Sequence, residues 1–158
     1  MKRAATLCLL LILAATATAG SLRPFDAGSL ASIRAAHDGR AFLLVLWSVH
    51  CAPCRDELVR VRDAVARRAD VAAVFVATDP PAEHADAERL WTTLGMAGSE
   101  GWAFADDYLE RLRWAIDPNW MGELPRAYLY RADHRREGRS GRLEAADLST
   151  WLDSLANH

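Results

Sequence analysis

Two continuous apolar runs separated by an amphipathic stretch constrain the fold of this chain most. The runs cover Ala41–Trp47 and Val71–Ala77, and each is bounded by turn residues, a pattern typical of strands buried on both faces of a sheet. Between them, Cys51–Ala69 carries apolar residues at helical spacing, with arginines on its other faces. Strand, helix and strand in this order predict a βαβ unit with two parallel strands and a right-handed crossover.

The rest of the chain predicts further helices and strands. The predicted helices are Gly28–Ala36, Glu83–Leu94, Tyr108–Ile116 and a C-terminal helix whose apolar face is formed by Leu148, Trp151, Leu152 and Leu155. The predicted strands are Trp102–Ala105, Arg126–Arg131 and a weaker, glycine-containing partner at Gly138–Arg142. There is no internal repeat, low-complexity tract or linker, so residues 20–158 are expected to form one α/β domain.

Residues 1–19 have the features of a secretory signal peptide. Lys2 and Arg3 are followed by the apolar stretch Leu7–Ala15 and by the small-x-small sequence Ala17–Ala19. The apolar stretch is shorter than a membrane-spanning helix. We therefore expect cleavage after Ala19 and an exported, periplasmic protein that is not stably inserted in a membrane, with an uncleaved anchor as the alternative.

Composition excludes several classes of protein. With 51% hydrophobic and 25% charged residues, the chain is too apolar for disorder, and three cysteines are too few for a disulfide framework. Acidic residues outnumber basic ones, 21 to 19, and no basic stripe dominates, so we expect no nucleic-acid partner. Cys8 lies in the signal segment, which leaves Cys51 and Cys54 as a closely spaced pair in an exported domain.

This cysteine pair lies where the first predicted strand passes into the first long helix. The unpaired N–H groups and the dipole at a helix N-terminus stabilise a thiolate, so Cys51 is expected to be the nucleophile. Cys54, one turn into the helix, would be shielded and act as the resolving thiol. In this scheme Cys51 attacks a disulfide, Cys54 resolves the mixed disulfide, and the Cys51–Cys54 disulfide is the redox centre, with no separate cofactor.

The sequence Trp-x-x-x-Cys-x-Pro-Cys after a buried strand resembles the thioredoxin superfamily. Arg55 and Glu57 make the chain similar, more narrowly, to exported TlpA-like and ResA-like thiol:disulfide oxidoreductases. The resemblance implies a thioredoxin-like three-layer α/β/α sandwich with a mixed central sheet. It also implies that Asp79–Ile116 contains the extra strand–helix pair of the TlpA-like proteins.

The same resemblance implies a substrate-binding loop at Gly122–Pro125. Pro125 would be a cis-proline that faces the cysteines, and Leu124 would offer backbone hydrogen bonds to a substrate peptide. Trp47 and His50, which flank the motif, are expected to complete the substrate-binding residues, and Trp47 is also expected to pack in the core and shield the cysteine site.

Two departures from the family pattern affect the expected chemistry. Val45 stands where many thioredoxins have an acidic residue, so Glu57 is the expected carboxylate for proton transfer. His50 stands where the family usually has tryptophan, and an imidazolium beside Cys51 would favour its thiolate and raise the reduction potential.

The expected function is reduction of protein disulfides in client proteins, for example in cytochrome c maturation or cell redox homeostasis. A membrane or periplasmic thiol protein would return the electrons. Two alternatives remain open: a disulfide-introducing oxidase, and a copper-binding or metallochaperone module that uses Cys51, Cys54 and His50. No other metal site is expected.

Overall fold

The computed structural model describes residues 21–157, which form a six-stranded mixed sheet with helices on both faces. The strands are β1 Arg23–Phe25, β2 Ala41–Trp47, β3 Val71–Ala77, β4 Glu100–Phe104, β5 Arg126–Tyr130 and β6 Arg136–Ser140. The α-helices are α1 Ser29–Ala36, α2 Ala52–Val65, α3 His84–Thr93, α4 Leu109–Ile116 and α5 Ala145–Asp153, with short 3₁₀ helices at Pro81–Glu83 and Ser154–Asn157. The predicted signal peptide, residues 1–19, lies outside the described residues.

The strand order is β1-β4-β3-β2-β5-β6: β1, β4, β3 and β2 are parallel to one another, β5 is antiparallel to β2, and β6 is antiparallel to β5. The predicted βαβ unit is confirmed as β2, α2 and β3, and its strands pair from Ala41↔Val71 to Trp47↔Ala77. The predicted segment 79–116 contains α3, β4 and α4, and β4 lies between β3 and β1. No helix within residues 21–157 is long and apolar enough to cross a membrane.

Crossover handedness explains which face each helix covers. The chain moves in one direction across the sheet from β2 to β3 to β4, and in the opposite direction from β1 to β2. Right-handed crossovers therefore put α2 and α3 on one face and α1 on the other. The two core clusters agree, because Leu58 and Trp91 pack together on one face and Ile33 and Leu112 on the other. The predicted α/β/α sandwich is confirmed.

Strand β2 is buried along its whole length. Leu43, Val45 and Trp47 belong to the core beneath α2, α3 and α5, whereas Phe42, Leu44 and Leu46 belong to the core beneath α1 and α4. A strand covered on both faces has no reason to alternate between apolar and polar residues, which is why Ala41–Trp47 reads as one continuous apolar run.

Several elements differ from the predictions, most by one or two residues at an end, and three of these differences have a clear cause. Strand β1 was not predicted, because three residues including a proline give too short a pattern. Helix α2 ends at Val65 rather than Ala69, and a turn closed by the Arg68 N–H and the Val65 carbonyl returns the chain to β3. Strand β6 begins at Arg136 rather than Gly138, directly after the turn that joins it to β5, and its mostly exposed, polar residues form one edge of the sheet.

An aromatic stack connects β4 to the end of β2. Trp47 and Trp91 are stacked with ring centroids 6.1 Å apart, and both side chains are buried. Gly101 of β4 lies against the indole of Trp91, since a Cβ atom at residue 101 would be 2.7 Å from the Cζ2 atom of that ring. Only glycine lets β4 approach the indole this closely.

We therefore expect Gly101→Ala to lower the free energy of unfolding by about 1–3 kcal/mol, because the added methyl overpacks the site. Urea unfolding at equilibrium measures this loss. In a Trp91→Phe background the ring is smaller, and the same substitution should be less destabilising. An equal loss in both backgrounds would contradict the contact as its cause.

Candidate active site

The two cysteines are positioned by the junction between β2 and α2. Cys51 directly precedes the helix and Cys54 lies in its first turn, and their Sγ atoms form a disulfide with the Cα atoms 5.3 Å apart. Cys54 is only 2% exposed, whereas Cys51 is half-buried. Pro53 occupies the first turn of the helix, where a backbone N–H has no partner to lose. Cys51 is thus the more accessible sulfur.

The turn before Cys51 is held by Asp79, a residue that sequence analysis did not predict as part of the site. The Ser48 hydroxyl donates to the Asp79 Oδ1 atom at 2.5 Å, and the Val49 N–H donates to the same carboxylate at 3.2 Å. Burial raises the pKa of Asp79, while the hydrogen bonds from Ser48 and Val49 oppose that rise. The sequence feature that indicates this role is an acid two residues after the end of β3. Neighbouring parallel strands end at the same edge of a sheet, so an acid at this position lies near the end of β2.

His50 points away from the core and is paired with an acid. Its Nε2 atom lies 2.8 Å from the Glu83 Oε2 atom, and 74% of the His50 side chain is exposed. His50, Glu83 and Asp79 offer ligand atoms that all lie within 4.8 Å of one another. The carboxylate oxygens of this cluster are hard ligands, so it is not the thiolate site that the copper alternative requires, and that alternative stays a prediction.

Glu57 is buried one turn after Cys54 on α2. It is 1% exposed, its Oε2 atom accepts the Leu143 N–H at 2.8 Å, and its Oε1 atom has no hydrogen-bond partner among residues 21–157. Burial raises the pKa of Glu57, against the opposing effects of the Leu143 hydrogen bond and the charges of Arg60 and Arg142. A buried carboxyl with an unpartnered oxygen is suited to hold a proton, and its predicted role in proton transfer stays a prediction.

The loop before β5 reaches the cysteine motif. The Leu124–Pro125 peptide bond is cis, as the resemblance implies. Pro125 is itself buried, and its carbonyl oxygen accepts the Gly141 N–H at 2.9 Å. A shallow groove on the surface is lined by Ser48, His50, Cys51, Ala52, Pro53 and Leu124. The structure therefore brings Leu124 and His50 to the disulfide, and their predicted binding of substrate stays a prediction.

Solved structures share this architecture. A secreted disulfide oxidoreductase from Mycobacterium tuberculosis, homologous to E. coli DsbE, matches with a TM-score of 0.57 and 18% identity over 78% of this chain and 86% of its own. A thiol:disulfide interchange protein of the thioredoxin family from Chlorobium tepidum matches with a TM-score of 0.58 and 20% identity, over 77% of this chain and 83% of its own. StoA from Bacillus subtilis matches with a TM-score of 0.54 and 17% identity, over 73% of this chain and 84% of its own. The chain has a thioredoxin-like fold. No protein-family model matches it, and no curated protein matches it in sequence.

Within this thioredoxin-like fold, Asp117 anchors the loop that leads to Leu124. This carboxylate is 6% exposed, accepts the Tyr128 O–H at 2.9 Å and the Asn119 N–H at 3.1 Å, and pairs with Arg126 and Arg136. Burial acts to raise the pKa of Asp117, but these hydrogen bonds and positive charges outweigh it and lower the pKa. The loop that leads to Leu124 is therefore tied to both strands of the β5–β6 hairpin.

The expected core packing of Trp47 is confirmed, whereas its expected place among the substrate-binding residues is wrong. Its side chain is fully buried beneath α2 and α3 and stacked on Trp91, so it has no surface with which to contact a substrate. It belongs to the same core cluster as Cys54. Trp47 supports the cysteine motif of the thioredoxin-like fold by packing rather than by binding.

Because burial raises the pKa of Glu57, the stability of the folded protein should depend on pH. In the unfolded chain Glu57 titrates near its ordinary value of 4.5, and in the folded chain it titrates at a higher pH. The folded state therefore retains a proton that the unfolded state has lost, and the free energy of unfolding falls as pH rises through that window, by up to about 1.4 kcal/mol per pH unit. Above the folded pKa this contribution becomes constant.

Glu57→Gln removes this titration, so stability of the variant relative to the parent protein should rise with pH above 4.5. Chemical unfolding of both proteins across a pH series measures the difference. Parallel pH profiles would contradict a raised pKa at Glu57.

Proposed function

We propose that this chain is an exported thiol:disulfide oxidoreductase that reduces disulfides of client proteins through Cys51 and Cys54. The observation that carries the proposal is the disulfide at the start of α2, with Cys51 lining an open groove and Cys54 buried behind it in the core. The similarity of the chain to solved structures described as a disulfide oxidoreductase and a thiol:disulfide interchange protein supports the same chemistry. Export rests on the features of residues 1–19.

The reaction is an exchange of two electrons between dithiol and disulfide. The Cys51 thiolate attacks one sulfur of a client disulfide, so a mixed disulfide forms and the first client thiolate leaves and takes up a proton from water. Cys54 then loses its proton and attacks the Cys51 Sγ atom. The mixed disulfide breaks, the second client thiolate is released, and the Cys51–Cys54 disulfide re-forms. The client gains two electrons and the protein loses two.

Deprotonation of Cys54 needs a nearby base, and Glu57 is suited to that task. It follows Cys54 by three residues on α2, so the two side chains lie on the same side of the helix. Burial and an unpartnered Oε1 atom make the Glu57 carboxylate a better proton acceptor than an exposed glutamate.

A client segment would lie in the groove beside Cys51. Leu124, His50 and Pro53 line this groove, and Leu124 would offer its backbone polar groups to the client. A membrane or periplasmic thiol protein would reduce the Cys51–Cys54 disulfide again after each turnover. Cytochrome c maturation and general redox homeostasis are the processes that this chemistry fits.

The test of the proposal is reduction of a protein disulfide such as that of insulin, with dithiothreitol as electron source. We expect the parent protein to accelerate reduction and Cys51→Ser to abolish the acceleration, because the attacking sulfur is lost. Cys54→Ser should attack but not resolve, and should accumulate mixed disulfides that mass spectrometry can identify. Equal rates for the parent and Cys51→Ser would contradict the proposal.

Oxidation of clients is the second candidate, and the position of His50 beside Cys51 favours it. A protonated imidazole stabilises the reduced, thiolate form and so raises the reduction potential. Equilibration with glutathione separates the two directions: a value above about −150 mV favours the oxidase and a lower value favours the reductase.

In the same assay we expect His50→Trp to lower the reduction potential, because the substitution removes the imidazole next to the nucleophile. Gly28→Ala, at the junction of β1 and α1, serves as a control away from the cysteines. An unchanged potential in His50→Trp would contradict a role for this histidine.

A further inference from the structure

We propose that Asp79 is a positioning residue that sets the reactivity of Cys51 through the turn formed by Ser48, Val49 and His50. The inference rests on the proposed thiol chemistry and adds a residue to it. Asp79 follows β3 and does not line the groove, so it acts through the backbone that carries the nucleophile.

Every residue between β2 and Cys51 is linked to this one carboxylate. Asp79 accepts the Ser48 hydroxyl at 2.5 Å and the Val49 N–H at 3.2 Å. The Ser48 oxygen in turn accepts the His50 N–H at 3.1 Å, and the Ser48 carbonyl accepts the Cys51 N–H at 3.1 Å. Ser48 therefore links Asp79 to the Cys51 N–H, while the Val49 N–H binds the same carboxylate directly.

These bonds fix Cys51 from the N-terminal side. On the other side, the Cys51 carbonyl accepts the Cys54 N–H at 3.1 Å within the first turn of α2. The helix stabilises a thiolate at its N-terminus only within the first turn, so the effect depends on where the backbone holds the sulfur. Release of the Ser48 anchor would let the sulfur move away from that position.

Burial gives the anchor its strength. Asp79 is 3% exposed, so water does not readily replace the groups that it binds. Loss of the carboxylate leaves the half-buried Ser48 hydroxyl and Val49 N–H without this partner, which is unfavourable. Two bonds from Thr78 to the Trp47 carbonyl, at 2.8 and 3.1 Å, hold the end of β3 against the end of β2 and keep Asp79 beside the turn.

Asp79 also carries charge, and charge acts in the opposite direction. A carboxylate near Cys51 disfavours the thiolate, as do Glu83 and the buried Glu57, whereas His50 favours it when protonated. Substitution of Asp79 alone would mix the two effects. Ser48 separates them, because its substitution breaks the anchor and leaves every charge in place.

The experiment is a double-mutant cycle on the reduced full chain. The rate of Cys51 alkylation by iodoacetamide is followed by mass spectrometry across a pH series in the parent protein, Ser48→Ala, Asp79→Ala and the double variant. We expect Ser48→Ala to raise the midpoint pH of alkylation and to slow the reaction at neutral pH by about threefold or more. In the Asp79→Ala background the same substitution should have less than half of this effect, since the acceptor of the Ser48 hydroxyl is already lost.

Two controls distinguish positioning from a general loss of stability. Ser48→Thr keeps the hydroxyl and should keep the parent midpoint, which also tests the proposal if Asp79→Ala does not fold. Ser29→Ala removes a similar buried serine, which binds the Asp26 N–H at 2.8 Å at the β1–α1 junction, and should leave Cys51 alkylation unchanged.

The proposal is overturned if Ser48→Ala leaves the midpoint unchanged, if its effect is equal in both backgrounds, or if Ser48→Thr behaves like Ser48→Ala. A parent protein whose Cys51 reacts like free cysteine, with a midpoint near about 8.5, would instead overturn the proposed function, and it would do so before any substitution is made.

Discussion

Burial of β2 on both faces is the constraint on which the rest of the site depends. The strand packs against helices on either side and pairs with β3 along one edge and β5 along the other. Its carboxyl end therefore meets the end of β3 and the start of β5 at one edge of the sheet. The cysteine turn, Asp79 and the cis-proline loop come from distant parts of the sequence, and the pairing of these three strands brings them together.

Two buried carboxyls near the cysteines serve different purposes because their oxygens are used differently. Asp79 accepts hydrogen bonds from a hydroxyl and a backbone N–H, so it is committed to holding a turn. Glu57 binds one backbone N–H through one oxygen and keeps the other unpartnered within the described part of the chain. An acid with a vacant acceptor can exchange a proton, whereas a fully bonded one is better suited to fix geometry.

The sequence predicted the parts of this protein that depend on local pattern. The apolar runs of β2 and β3, the helical spacing of α2 and the cysteines at their junction all follow from residues close together in the chain. The partners of the junction depend on tertiary pairing instead. From the sequence, Asp79 only marks the end of a strand and Trp47 is expected to contact substrate. No local pattern distinguishes a side chain buried beneath the cysteine motif from one exposed beside it.

Strand β6 forms an open edge of the sheet, where pairing with another polypeptide can begin. A protein that receives unfolded polypeptides exposes them to the open backbone at the edge of its sheet, where an extended segment could add as another strand. Arg136, Glu137 and Arg139 place charge along that edge, and few unfolded segments would match it. This charged border therefore protects the sheet from aggregation through its edge.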